Sequence, residues 1–250
     1  MKILITGASS GIGRDFARVF HRAGHELFLA ARSTERLSEL CRELDGKPKI
    51  FSVDLSKKES CFELYSALKD ENIDMLINNA GFGAFGFFTE GDLERELEMI
   101  NLNICAVHIL TKLFLRDFEQ RGYGYILNVA SSAAFLPGPL MSVYYATKAY
   151  VLRLSAAIRE ELRRKGSRVY VGVLCPGPVD TEFNKTAGVS FSLRSLPSMR
   201  VAEYAVKKMF EGRGIIVPGF SIKLGVFAQR LLPTDLAARI AYNIQKKKNN

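Results

Sequence analysis

The chain has 250 residues, 48% of them hydrophobic, and carries 35 lysines and arginines against 26 aspartates and glutamates, a net charge of +9. That length suits one α/β domain with a sizeable core, and the apolar content excludes a disordered or low-complexity chain. The four cysteines (Cys41, Cys61, Cys105, Cys175) are scattered without a Cys-x-x-Cys pair, which argues for free thiols in a reducing compartment and against a disulfide or zinc framework.

The first element is the apolar run 2–6, which predicts a strand. It breaks into Gly7, Ser9, Ser10, Gly11, Ile12 and Gly13, and then Phe16, Ala17, Val19 and Phe20 recur at helical spacing up to Gly24. Strand, glycine turn and helix form the arrangement that holds a nucleotide pyrophosphate, with backbone amides at the helix start aimed at the phosphates. The spacing Gly7-x-x-x-Gly11-x-Gly13 differs from the common Gly-x-Gly-x-x-Gly pattern, and by itself it fits an ordinary turn equally well. Further β-type runs fall at 26–30, 49–53, 73–77, 124–129, 168–174 and 214–217. Helical patterns alternate with them, at 11–23, 34–45, 57–69, 90–119, 143–165 and 200–211. This alternation predicts a doubly wound parallel β-sheet with helices on both faces, Rossmann-like, in one domain over 1–250, with its ligands at the carboxyl ends of the strands.

Tyr144 and Lys148 lie four apart in the run 142–148, and Ser131-Ser132 precedes them. On a helix these two positions share a face, where an ammonium beside a phenol favours phenolate and is expected to lower the tyrosine pKa. Such a tyrosine can pass a proton to a carbonyl oxygen. His21 and His25 are also four apart, but Gly24 interrupts the helix between them, and no metal site is expected.

Taken together, Thr6-Gly7-Ala8-Ser9-Ser10-Gly11-Ile12-Gly13, Asn78-Asn79-Ala80-Gly81, Asn103, Ser131, Tyr144 with Lys148, and Pro176-Gly177-Pro178-Val179 resemble the short-chain dehydrogenase/reductase family in its compact single-domain form. The resemblance spans residues 6 to about 181 in order, and the last seventy residues carry no such signature. It implies an oxidoreductase that interconverts a ketone or aldehyde and an alcohol, with Asn103, Ser131, Tyr144 and Lys148 as catalytic residues. Asn103 is preferred over Asn101 by counting back from 110–112, and Ser131 over Ser132 by its distance from Tyr144. Tyr145 lacks a lysine at i+4 and is set aside. Lys148 would also hold the nicotinamide ribose, and the Val179 backbone and Thr181 hydroxyl the carboxamide, on the loop Pro176-Gly177-Pro178, which its prolines stiffen.

The same resemblance places Asn78 as a brace of the central sheet and Asn79, Ala80 and Gly81 against the cofactor. It sets Asp54 near the adenine, although Asp54 also reads as a helix cap. The second strand ends in Ala31-Arg32-Ser33, with no acidic residue for ribose hydroxyls. Arg32 suits a 2′-phosphate, so the expected cofactor is NADP(H); Ser10, Ser33 and Arg14 are additional candidate contacts.

Four phenylalanines (Phe82, Phe85, Phe87, Phe88) interleaved with glycines read either as core and subunit packing or as one wall of an apolar pocket. Residues 182–200 carry Phe183, Val189, Phe191, Leu193, Leu196 and Met199, which reads as a lid with an apolar inner face, with Lys185 and Arg194 able to meet an anionic end. An apolar or amphipathic small-molecule carbonyl or alcohol is the expected substrate. The C-terminal extension, 220–250, pairs cations with Leu236, Ala237, Ile240, Ala241 and Ile244. Packing of 220–245 into the folded body through Leu236, Ile240 and Ile244, beside the pocket or a subunit interface and with 246–250 as a loose tail, is favoured over a basic helix on an anionic membrane surface.

The start of the chain has no signal-peptide pattern and no apolar run is read as membrane-spanning, so a cytoplasmic location is expected. No nucleic-acid motif appears, and the family implies a homodimer or homotetramer. Two other classes remain: a cofactor-sensing binding protein on the same fold, against which the intact Asn103, Ser131, Tyr144 and Lys148 set argues, and a membrane-surface reductase of lipid or acyl carbonyls.

Overall fold

The structure, a computed structural model, describes residues 1–183, 195–229 and 231–246. Among these residues, seven strands form one parallel sheet in the order β3-β2-β1-β4-β5-β6-β9. They are β1 (Lys2–Thr6), β2 (Glu26–Ala31), β3 (Lys49–Ser52), β4 (Met75–Asn78), β5 (Tyr125–Val129), β6 (Tyr170–Leu174) and β9 (Ile215–Ile216). β7 (Val179–Asp180) and β8 (Leu196–Pro197) make a separate short parallel pair that the sequence did not announce. The predicted strands and helices all appear, with ends displaced by a few residues.

The strands are apolar on both sides because both faces are covered. Side chains alternate between two layers. Leu4, Phe28, Leu76, Ile126 and Val171 point to one cluster. Ile3, Ile5, Leu27, Leu29, Met75, Ile77 and Leu127 point to the other. The first layer packs under α3 (Lys58–Leu68), through Cys61, Leu64 and Leu68, and α5 (Val107–Arg121), through Leu110, Phe114 and Phe118. The second takes Phe16, Ala17 and Phe20 of α1 (Gly11–Arg22), Leu37 and Leu40 of α2 (Thr34–Glu43), and Val201, Ala205 and Met209 of α7 (Ser198–Phe210).

The predicted helix 90–119 is continuous from Leu93 to Arg121 but changes winding. It runs as α4 (Leu93–Ile100), a π-helical turn over Asn101–Ala106, then α5. It is long and apolar enough to cross a membrane, contrary to the sequence reading. Burial of Met99, Leu102, Leu110, Phe114 and Phe118 in the core accounts for that composition.

Four buried polar side chains tie the sheet centre to its cover. Asn78 Nδ2 donates to Thr111 Oγ1 (3.0 Å) and to Asn128 Oδ1 (2.9 Å), and Asn128 Nδ2 donates to Ser155 Oγ (2.9 Å). Asn78 is thus the brace that was expected. The chain ends in α8 (Phe220–Gln229) and α9 (Thr234–Lys246). Within the single chain, Leu236, Ile240 and Ile244 do not pack on the body as expected. They are 44%, 42% and 46% exposed, and the neighbouring stripe Ala237, Ala241 and Gln245 is buried instead. Small alanines let the helix lie close to the body, and Gln245 brings a hydrogen bond, so the helix turns its bulkier stripe outward.

Candidate active site

The sheet order reverses direction beside β1, between β2 and β4, where open α/β sheets bind ligands at the carboxyl ends of the strands. The glycine turn follows β1. Gly7 has a φ of 64°, and a Cβ on it would stand 2.8 Å from Ala80 Cα. A Cβ on Gly13 would collide with the Gly7 carbonyl and Asn79 Nδ2. A side chain at either position would push the turn off the sheet end.

Asn79 enforces the same contact. Its Nδ2 donates to the carbonyls of Thr6 (3.0 Å) and Gly7 (3.1 Å), while Thr6 Oγ1 accepts from the amides of Asn79 and Ala80. The Asn79 side chain therefore shapes the turn. Gly11 packs on the Thr181 methyl, joining the β1 turn to the loop after β6.

α1 opens with Ser10 extended, its hydroxyl outside any cap bond, and no acidic residue in the first turn. The amides of this turn and the Ser9 and Ser10 hydroxyls are groups of the kind that could hold an anion. Arg14 Nε is buried nearby in sequence without a hydrogen-bond partner. Orphaned buried cationic donors are costly, and a phosphate oxygen is the group such a donor suits. The turn amides and serine hydroxyls fit a dinucleotide pyrophosphate.

At the end of β2, Arg32 is exposed and forms an ion pair with Glu98 of α4 (2.8 Å). Ser33 caps α2, accepting from Arg36 N at 3.3 Å. Asp54 Oδ1 accepts from Ser56 N (3.1 Å) and Ser56 Oγ (2.8 Å) in a turn ahead of α3, whose N-cap is Lys57 with no side-chain cap bond, so Asp54 is not the helix cap that was one of its two readings.

The proton-handling groups come together around α6 (Ser142–Arg164), which buries Tyr144, Thr147 and Lys148. Burial pushes the Tyr144 phenol well above its ordinary pKa, and the hydrogen bond with Ser131 opposes that push. Burial also lowers the Lys148 ammonium to about 8. This corrects the expectation that the lysine acidifies the tyrosine. Lys148 Nζ lies 5.9 Å from the Tyr144 ring centroid and donates to the Val129 carbonyl (3.0 Å). Desolvation is the largest influence on each group, and it favours the protonated phenol of Tyr144.

Ser131 lies at the end of β5, where its hydroxyl accepts from Ala133 N (3.1 Å). The Ser132 amide donates to the Pro176 carbonyl (2.7 Å), which joins the β5 and β6 loops.

Asn103 falls in the π-helical turn, an irregularity often found at functional positions. Its Nδ2 donates to Phe82 O (2.9 Å) and Thr147 Oγ1 (3.1 Å), and its Oδ1 accepts from Phe82 N (3.2 Å). Asn101 is exposed. Thr147, which sequence reasoning missed, links the site's two helices by accepting from Asn103, and its hydroxyl donates to the Tyr144 carbonyl of its own helix (2.7 Å).

An apolar wall stands over Tyr144. The Phe183 ring centroid is 5.2 Å from that of Tyr144, and a Cβ on Gly83 would meet Phe183 Cζ at 2.8 Å, Tyr144 Cδ2 at 3.2 Å and Met141 Cε at 3.4 Å. Phe82 is buried while Phe87 and Phe88 are exposed, so the aromatic segment divides between its two readings. Of the expected lid, 184–194, with Lys185, Val189, Phe191, Leu193 and Arg194, lie outside the described residues. Leu196 pairs with Val179, and Met199 contacts Arg22 of α1, away from Tyr144.

The C-terminal helices border this site. A Cβ on Gly177 would meet Ile222 Cδ1 at 2.7 Å. Gln245 donates to the Tyr145 hydroxyl, while burial raises that phenol to about 12. Met141, Gln245 and Glu98 had no local sequence signal. No group of three metal-ligating side chains occurs among the described residues.

A doubly wound sheet with a buried tyrosine and lysine beside a glycine turn defines a dinucleotide-dependent oxidoreductase. The family model described as short chain dehydrogenase matches residues 1–189. An uncharacterized oxidoreductase of Mycobacterium tuberculosis is 33% identical over 250 residues, covering 96% of this chain and 97% of that one. A short-chain dehydrogenase from Sphingobium yanoikuyae in complex with NADPH superposes with a TM-score of 0.84 at 32% identity, covering 92% of each chain. One from Burkholderia phymatum in complex with NAD gives 0.82 at 26%, again over 92% of each. The chain belongs to the short-chain dehydrogenase family.

Proposed function

We propose that this chain is an NADP(H)-dependent reductase that interconverts an apolar or amphipathic ketone or aldehyde and its alcohol, and that it works in the cytoplasm as a homodimer or homotetramer. The observation that carries the chemistry is the burial of Tyr144 and Lys148 on one face of α6. A bound NADPH supplies the hydride to the carbonyl carbon. The Ser131 hydroxyl donates a hydrogen bond to the substrate oxygen, where negative charge builds up. The Tyr144 phenol gives that oxygen its proton. Lys148 and Asn103 return a proton to the tyrosine through water beside Gly81.

The turn 7–13, Ala80-Gly81, Lys148 and the Pro176–Thr181 loop are proposed to hold the dinucleotide. Preference for the 2′-phosphate rests on Arg32 at the end of β2, with the orphaned Arg14 Nε as a second donor. The wall of Phe183, Met141 and Tyr144 favours an apolar substrate over a sugar. Assembly is supported by the exposed Leu93 and Leu97 on α4, and a cytoplasmic location by four free cysteines. The test is a screen of ketones, aldehydes and alcohols with NADPH and NADH in parallel. Turnover of apolar carbonyls with NADPH is expected; no turnover with either cofactor overturns the reading.

A further inference from the structure

The two C-terminal helices leave an unbroken apolar series outward: Phe220, Leu224 and Phe227 on α8, Leu231 and Leu232 in the connection, then Leu236, Ile240 and Ile244 on α9. Each is exposed, Phe220 at 83%, and α8 has no fully buried residue. So many large apolar groups in 25 consecutive positions exceed the scattered exposure of an ordinary surface. Cations flank the series. Lys223, Arg239 and Lys246 are exposed beside it, and the sequence adds Arg230, Lys247 and Lys248, with Asp235 the one acidic residue from 220 to 250.

We propose that this face docks on an anionic lipid surface, with the apolar stripes entering the interface and the cations meeting lipid phosphates. Charge decides between occupants. A second copy docking face to face would bring Lys223, Arg239 and Lys246 of one copy toward those of the other, whereas an anionic bilayer attracts them. The surface adjoins the site: Ile222 of α8 rests on Gly177, and Gln245 of α9 holds Tyr145. A face docked on lipid would therefore set the mouth of an apolar pocket against the medium in which an apolar substrate dissolves. The proposal concerns a partner, and it stands or falls apart from the reaction proposed above.

The test is co-sedimentation of the full-length protein with vesicles of phosphatidylcholine alone and of equal parts phosphatidylcholine and phosphatidylglycerol, with oligomeric state measured by analytical ultracentrifugation. The protein is expected to sediment with the mixed vesicles and to be released by raised salt. Leu224→Asp with Phe227→Asp should reduce the bound fraction at least about tenfold, with NADPH oxidation in buffer unchanged. Arg239→Glu with Lys246→Glu, which keeps the apolar stripes, should lose binding to a comparable degree. Failure of the parent protein to sediment with mixed vesicles, or sedimentation of either variant equal to that of the parent, overturns the proposal. A dimer that the apolar variant dissolves, without vesicle binding by the parent, also overturns it and assigns the face to a second copy.

Discussion

Asn103 and Lys148 converge on one small space beside Gly81. A methyl group on Gly81 would stand 2.8 Å from Asn103 Oδ1 and 3.2 Å from Lys148 Nζ. Asn103 cannot swing away, because both of its amide donors and its oxygen are engaged with Phe82 and Thr147. A water in that space would accept from the ammonium and donate to the amide oxygen, the connection a proton return path needs. Gly81→Ala fills the space. It should lower kcat by about tenfold or more and also cost some thermal stability, because Asn103 cannot yield to the added carbon. Unchanged kcat, with an unchanged solvent isotope effect, would remove the space from the proton path.

Tyr144 is kept protonated by burial, so its role as proton donor is directly testable. Tyr144→Phe should cut carbonyl reduction by roughly 10²-fold or more, with NADPH binding retained. Tyr145→Phe should retain most of the activity. Near-normal turnover in the first variant would reassign the donor.

Lys148 makes a prediction of opposite sign for stability and activity. Its folded pKa, about 8, lies below the ordinary value of 10.5 because burial disfavours the charge. Below pH 8 the group is charged in both the folded and unfolded states, and the burial cost is present in full. Between the two values the folded state sheds its proton first, and the cost disappears as pH rises. Lys148→Met should therefore abolish turnover yet stabilise the fold at pH 7, by on the order of 3 kcal/mol at most. The gain should shrink toward pH 10.5. Denaturant unfolding at pH 7 and pH 10 measures both; a variant less stable at pH 7 would show that the Val129 hydrogen bond outweighs the burial cost.

Arg32 is occupied by Glu98, so 2′-phosphate binding would have to compete with an internal ion pair. Arg32→Ala should weaken NADPH by roughly 1.5–3 kcal/mol and NADH hardly at all. Glu98→Gln should tighten NADPH by freeing the guanidinium. Dissociation constants for both cofactors decide the matter: equal weakening of the two by Arg32→Ala would show that Arg32 does not read the phosphate.

Much of this fold was legible because its signals are local. Apolar runs ending in Gly7 or in Asn78-Asn79 declare both a strand and its turn, and Tyr144 with Lys148 declare a helix face. What escaped depends on partners far along the chain. Periodicity marked α9 as amphipathic, but it could not say which of two adjacent stripes faces in. The answer lay in the size of Ala237 and Ala241 and in a hydrogen bond from Gln245 to Tyr145, one hundred residues away. Likewise, the pKa expectation for Tyr144 considered its neighbour in sequence but not the depth of burial of both groups, which only the packed structure sets.

That distant pair supplies the last prediction. Gln245 is 1% exposed, its Oε1 has no hydrogen-bond partner, and its Nε2 donates to the Tyr145 hydroxyl. A buried polar group that loses its partner costs about 1–3 kcal/mol, whereas replacing both partners with apolar groups of similar shape is close to neutral. Gln245→Leu and Tyr145→Phe should each destabilise the protein by an amount in that range, and the double variant should recover most of the loss. The coupling is read from a double-mutant cycle of unfolding free energies. Strict additivity would mean that the two side chains do not depend on each other and that α9 is held at the site by Ala237 and Ala241 alone.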